Sequence, residues 1–300
     1  MKKLFLFVLV GLTCFVVSAP AANAPLHVVA SFSILADMAR NVGGEDVVVT
    51  SLVGPDSDTH TYQPTAEDAK SLAKADIILI NGLGFEGWMQ RLIEASGTKA
   101  AVVIATQGIK PRMMTDEGKS ITDPHAWQDL FNGRIYVKNI EAAFERVAPD
   151  RATFFQKRAA QYDAELAAMN KRVRDQLSSV PPAQRKVITS HDAFGYFGAA
   201  YGVTFLSPAG ISTEAEASAS NVAALIRQIK AEGIKQVFIE NMSNPKLIEQ
   251  IGKDAGAQMG GTLYSDALSS PTGTAPTYLA MFLNNVPKLR AAMLMTQKDH

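Results

Sequence analysis

PDRATFFQKRAAQYDAELAAMNKRVRDQLSS, residues 149–179, is the stretch on which the architecture turns. Phe154, Phe155, Arg158, Tyr162, Leu166, Met169, Val173 and Leu177 recur at three- and four-residue steps, with charges between them. No glycine or proline interrupts the run from Asp150 to Val180. The spacing predicts one continuous helix of ~28 residues, about 40 Å long at 1.5 Å per residue. Globular helices usually run roughly 8–20 residues. A rod of this length is expected to join two lobes, and its stiffness should leave them little room to close.

On either side of the rod, short β-rich runs alternate with amphipathic helical patterns. Upstream, strands are expected at His27-Val28-Val29-Ala30-Ser31-Phe32, Val47-Val48-Val49, Asp76-Ile77-Ile78-Leu79-Ile80 and Ala101-Val102-Val103-Ile104. Helices are expected from Ile34 to Gly43, Thr65 to Ala75 and Phe85 to Ala95. The apolar run at 77–80 reads as a strand buried on both faces, as parallel sheets require. Downstream, strands at Lys186-Val187-Ile188-Thr189 and Gln236-Val237-Phe238-Ile239 alternate with helices at 193–201, 222–232, 245–255 and 276–295. The fold class is therefore α/β, two lobes with mainly parallel sheets joined by one long rigid backbone helix. The expected divisions are a signal peptide at 1–24, an N-terminal lobe at 25–148, the linking helix at 149–180 and a C-terminal lobe at 181–300.

The first two dozen residues read as an export signal. Met1-Lys2-Lys3 is basic, Leu4 to Val17 is apolar, and Ser18 to Ala24 is made mostly of small residues. Cleavage is expected near Ala21–Ala24, at Ala21 or Ala22 in preference because Pro25 follows Ala24. Cys14, the single cysteine, lies inside the apolar run and should leave with it. Without Lys2 and Lys3 the chain keeps 27 basic and 29 acidic residues, a formal charge of −2. That balance argues against nucleic acid as a partner. An exported, thiol-free chain in the periplasm must build any metal site from histidine and carboxylates.

There are five histidines. His27 reads as a strand residue and His300 as a chain-end residue. The other three fall in strand-end loops, where open α/β sheets place ligands: His60 in Asp58-Thr59-His60-Thr61-Tyr62, His125 in Asp123-Pro124-His125-Ala126-Trp127, and His191 in Thr189-Ser190-His191-Asp192. Asp266, in Leu263-Tyr264-Ser265-Asp266, is the fourth candidate. Each lobe would then donate two ligands to an ion in the interlobe cleft. Three imidazoles and one carboxylate suit Zn2+, with Mn2+ or Fe2+ as alternatives. Neutral imidazole is required, so affinity should fall below about pH 6.5.

Asp58-Thr59-His60-Thr61-Tyr62-Gln63-Pro64, Asp123-Pro124-His125-Ala126-Trp127 and His191-Asp192-Ala193-Phe194-Gly195-Tyr196-Phe197 resemble motifs of the zinc- and manganese-binding solute-binding proteins of bacterial ABC importers. Gly210-Ile211-Ser212-Thr213-Glu214-Ala215-Glu216, Asn244-Pro245-Lys246-Leu247 and Leu263-Tyr264-Ser265-Asp266 extend the resemblance, in the family's order. It implies metal ligands at His60, His125, His191 and Asp266, no enzymatic activity, and delivery of the ion to an ABC transporter transmembrane permease. A monomer is expected. Zinc-dedicated members often carry a His-rich loop ahead of the second motif, and Met113 to Ile121 has no histidine. Manganese-dedicated members tend to have glutamate where this chain has His191, which favours zinc. Ligating imidazoles need an acceptor for the other ring N–H, and Glu240, Asp123, Asp192 and Glu214 are the acids in reach. Trp127 and Phe194 read first as core, and could also wall the site from water. A zinc hydrolase would need an open coordination position and a general base. No His-Glu-x-x-His or Gly-x-Ser-x-Gly motif is present. A metal-containing adhesin is the remaining alternative.

Overall fold

The computed structural model describes residues 24–116, 119–210, 213 and 217–295. The segment expected to be an export signal, up to Asn23, lies outside the described residues, as do Cys14, Glu214 and His300. The first half runs β1 (Leu26–Phe32), α1 (Ser33–Gly43), β2 (Val47–Val53), α2 (Ala66–Ala73), β3 (Ile77–Ile80), α3 (Met89–Ser96) and β4 (Ala101–Ile104). Its strands form one parallel sheet in the order β2-β1-β3-β4. The central pair, β1 and β3, is covered on both faces, which is why both read as nearly unbroken apolar runs. An antiparallel hairpin follows, β5 (Arg112–Asp116) with β6 (Lys119–Asp123), and then α4 (Leu130–Val147).

The long rod is α5 (Ala152–Ser178), 27 residues in one helix. It buries Phe155, Ala159, Tyr162, Leu166, Val173 and Leu177, the face that the sequence spacing predicts. The second half runs β7 (Lys186–Ile188), α6 (Gly195–Tyr201), β8 (Thr204–Leu206), α7 (Ala219–Glu232), β9 (Gln236–Glu240), α8 (Lys246–Ala255), β10 (Gln258–Leu263) and α9 (Tyr278–Met295). Its sheet is also parallel, in the order β10-β9-β7-β8. No helix among the described residues is long and apolar enough to cross a membrane.

Three features depart from the sequence reading. The helix expected from Phe85 begins only at Met89, because Gly82, Leu83 and Gly84 all take positive φ. That turn is held by the Glu86 carboxylate, which accepts the N–H groups of Asn81 and Gly82. The hairpin, α4, β8 and β10 add elements that composition does not announce. In β10 two adjacent glycines depress strand propensity, yet a Cβ at Gly260 would collide with the Phe238 ring. Finally, α5 joins the lobes as the spacing predicts, but a second helix also spans them. α9, built from the C-terminal half, packs on α1 and α5. The main core passes without a break through Trp127, Tyr136, Phe155, Phe197, Tyr278 and Phe282. Among the described residues, a small cluster around Ile188, Ile229, Val237 and Ile251 stands apart, beneath α7 and α8.

Candidate metal centre

Four loops at the carboxyl ends of β2, β6, β7 and β10 carry His60, His125, His191 and Asp266 to one point between the sheets. One ligand atom from each lies within 4.8 Å of all the others. His60 Nε2 is 3.3 Å from His125 Nε2 and 3.4 Å from Asp266 Oδ2. His191 Nε2 is 3.1 Å from Asp266 Oδ2, and His125 Nε2 is 3.7 Å from Asp266 Oδ1. Ligands about 2.0–2.1 Å from a tetrahedral ion would stand about 3.3 Å apart. His125, His191 and Asp266 are buried and His60 nearly so. Asp266 Oδ1 is buried with no hydrogen-bond partner, an orphaned acceptor that a cation would satisfy.

Local chemistry fixes each ring. In both Asp58-Thr59-His60 and Asp123-Pro124-His125 the aspartate accepts the histidine's backbone N–H, at 2.9 and 3.0 Å. Asp123 Oδ1 also lies 2.9 Å from His125 Nδ1, leaving Nε2 free to face the centre. Arg112 holds the other Asp123 oxygen at 3.1 Å. Glu240, at the end of β9, performs the same double task for His191. Its Oε1 accepts the backbone N–H at 2.9 Å, and Oε2 lies 2.7 Å from Nδ1. The His60 loop is steadied downstream, where Tyr62 donates to Asp68. Thr65 and Asp68 form a capping box on α2. Burial and then the Asp68 carboxylate push the Tyr62 phenol up to about 12, so it remains a donor at neutral pH.

Two of the acids expected beside the rings are there, Asp123 and Glu240. Asp192 is not. It lines a cavity of about 290 Å³ with Arg112, near enough to feel the charge of both rings, while Glu240 takes the His191 ring nitrogen. Burial raises its carboxyl above the usual range, and Asp123 nearby adds to this. Trp127 is core and wall at once: its ring lies 5.3 Å from that of His125 and 4.7 Å from that of Phe85. Phe85 itself meets the His60 ring edge-on at 4.9 Å. Phe194 instead stacks on Phe205 in the core of the second half. His27 stays in β1, exposed, with its N–H on Asp76.

The electrostatics call for a cation. Asp123, Glu240 and Asp266 converge on the imidazoles, and Arg112 answers one of them. If the rings were neutral, three carboxylates against one guanidinium would leave two negative charges in a buried place; without a metal, protons on His125 and His191 supply that charge, and a bound cation would take their place. Burial pulls the His125 imidazolium down, but Asp266 and Asp123 outweigh it and hold that ring up at about 9. Burial likewise lowers His191, and Glu240 and Asp266 raise it well above its ordinary value. Burial alone would raise Asp266, yet the facing His125 and His191 hold it well below the usual carboxylate range.

Several supporting residues were not foreseen. Asn81 Nδ2 donates to the Pro124 carbonyl at 2.9 Å, and the Tyr136 hydroxyl donates to Asn81. Asp58 and Asp56 reach the second lobe, accepting from Thr213 and from Asn241. Trp127 and Gln128 donate to the Ser265 carbonyl. The turn-rich segment at 54–60 was a visible signal, but bonds to a distant carbonyl leave no pattern in sequence.

The family described as "Zinc-uptake complex component A periplasmic" matches residues 28–292. The chain is 34% identical to the manganese-binding lipoprotein MntA of Bacillus subtilis, over 91% of each chain. It is 34% identical to the iron-binding protein YfeA of Yersinia pestis, covering 85% of this chain and 82% of that one. Among solved structures, the periplasmic zinc binding protein TroA from Treponema pallidum superposes with a TM-score of 0.85 at 31% identity, covering 90% of this chain and 99% of TroA. Relatives named for manganese, iron and zinc thus share one fold with this chain, and they are carriers, not catalysts. A match spanning residues 28–292, on a fold whose four loops gather three histidines and an aspartate, places this protein in that family, the periplasmic metal-binding substrate-binding components of ABC transporters.

Proposed function

We propose that this protein captures zinc through His60, His125, His191 and Asp266 and delivers it to a membrane permease as a monomer. The reading extends to export with cleavage near Ala21–Ala24 and to lobes at 25–148 and 181–300 joined by the helix at 149–180. The observation that carries the zinc assignment is the donor set, three imidazole Nε2 atoms and one carboxylate with separations of 3.1–3.7 Å among the closest pairs. Zinc favours that chemistry and that spacing. Four protein ligands leave no open position for an activated water, in keeping with a carrier.

One feature favours a second reading. Both oxygens of Asp266 face the rings, so the carboxylate can chelate and raise the coordination number above four. Manganese and ferrous iron accept that arrangement readily, and relatives carry names for both. Metal analysis of the protein isolated from its native compartment separates the readings. One zinc per chain is expected. Stoichiometric manganese or iron would transfer the assignment to that ion, and a chain that takes up no divalent metal would end it.

A further inference from the structure

We propose that Gln128 and Trp127 are positioning residues that fix how Asp266 presents its carboxylate and so set which divalent ions the site accepts. The proposal rests on the reading of the four-residue cluster as a metal site.

Asp266 is the cluster's one anionic ligand, and the segment carrying it is gripped from both sides. Within its own half, Asn285 of α9 pins Tyr264 twice, accepting its N–H at 3.0 Å and donating to its carbonyl at 2.7 Å. From the opposite lobe, Trp127 Nε1 and Gln128 Nε2 each donate to the carbonyl of Ser265, both at 2.8 Å. Ser33 adds a third cross-lobe bond, accepting the N–H of Leu268. A carbonyl oxygen has two lone pairs, and here both are taken by donors two and three residues after His125 in the chain. The His125 segment and the Asp266 segment therefore move as one body.

The donors are themselves immobile. Gln128 and Trp127 are buried, and the Trp127 ring is packed by Phe32 and Phe85. The Trp127 carbonyl accepts the Tyr278 hydroxyl, and the Tyr278 N–H is held by Asp37 at 2.8 Å. Thus the frame reaches from α1 through α9 to the residue preceding Asp266. Its consequence is visible in the carboxylate, where Oδ2 faces His60 and His191 while Oδ1, otherwise without a hydrogen bond, faces His125. Held so, the group offers both oxygens. Released, it can rotate about its side-chain bonds and offer one. Zinc is content with one oxygen in a four-coordinate site, whereas manganese depends on the second.

The test compares wild type with Gln128→Leu, which keeps size without the donor, and Trp127→Phe, which keeps a ring without the N–H. Zinc chloride and manganese chloride are titrated separately against a competing fluorescent chelator, and the visible spectrum of the cobalt(II)-loaded protein reports coordination. Manganese affinity is expected to fall about tenfold more than zinc affinity. The cobalt bands should strengthen as the site moves toward four-coordinate. Equal losses for both ions with an unchanged cobalt spectrum would reduce the clamp to a structural brace and overturn the inference. A wild-type protein that binds neither ion would overturn the site reading and this inference together, while wild-type binding with an unchanged zinc-to-manganese ratio in both variants would overturn the inference alone.

Discussion

Asp123 and Glu240 do for their histidines what chain geometry alone cannot: each takes both the backbone N–H and the far ring nitrogen. Asp123→Asn and Glu240→Gln keep shape and lose charge, so each is expected to weaken zinc binding 10–100-fold by calorimetric titration, a magnitude typical of such supporting acids. Wild-type affinity in both would mean that packing alone aims the rings. Direct ligand loss should cost more: His60→Ala, His125→Ala and His191→Ala are each expected to fall by more than about 100-fold, while His27→Ala, exposed in β1, keeps wild-type affinity. Equal effects from His27 and His60 would refute the assignment. Away from the site, burial raises the Asp37 carboxyl from 3.8 to about 6. A carboxyl raised on folding favours the folded state most below about pH 4, and that benefit declines as pH climbs through 6, by about 3 kcal/mol in all. Asp37→Asn keeps an acceptor for the Tyr278 N–H and removes the titration. Urea unfolding should therefore show the variant gaining on wild type between pH 4 and pH 8. A difference that stays constant with pH would contradict the burial argument. The histidines were legible because each follows a turn or a strand end. Gln128 and Asn81 were not, since their partners are backbone carbonyls 137 and 43 residues away.

Helix α6 illustrates how an element shapes a site it does not enter. Its first residue, Gly195, lies so close to the Arg112–Asp123 ion pair that a Cβ there would overlap both side chains. Gly195→Ala should then split two quantities that usually move together. Alanine favours a helix over glycine by roughly 1 kcal/mol, so stability should change little. The displaced Asp123, however, would no longer aim His125, and zinc affinity should fall about tenfold. Unchanged affinity would mean that Arg112 simply swings aside, half-exposed as it is. The same contrast between local and distant causes governs which elements could be read. α5 announces itself because its buried face repeats over 27 residues. β1 and β3 do so because both of their faces are covered. α4 hides because its packing needs Gly133 against the Tyr278 hydroxyl, a requirement set 145 residues away. In β10, Gly260 is demanded by the Phe238 ring and not by any strand preference.

At the scale of the whole molecule, the question is whether two lobes around a cleft behave as two bodies. The core answers through α9, which begins beside the cleft and ends against α5, carrying Tyr278, Phe282, Leu289 and Met293 into the same apolar mass as Phe32 and Phe155. Opening the cleft widely would have to shear that mass, and close-packed interiors resist such continuous deformation. The clefted shape is therefore compatible with rigid behaviour, and capture of an ion should proceed through small movements of the four loops. Calorimetric unfolding of the metal-free protein is expected to give one cooperative transition, with both sheets lost together. Zinc held at about 100 times its dissociation constant adds about 2.7 kcal/mol to the folded state, which at this size corresponds to a rise of roughly 4–5 °C in Tm. Two resolved transitions, with only the later one shifted by zinc, would show that the lobes fold independently. They would also show that the continuous core carries no mechanical coupling between the ligands of the first half and those of the second.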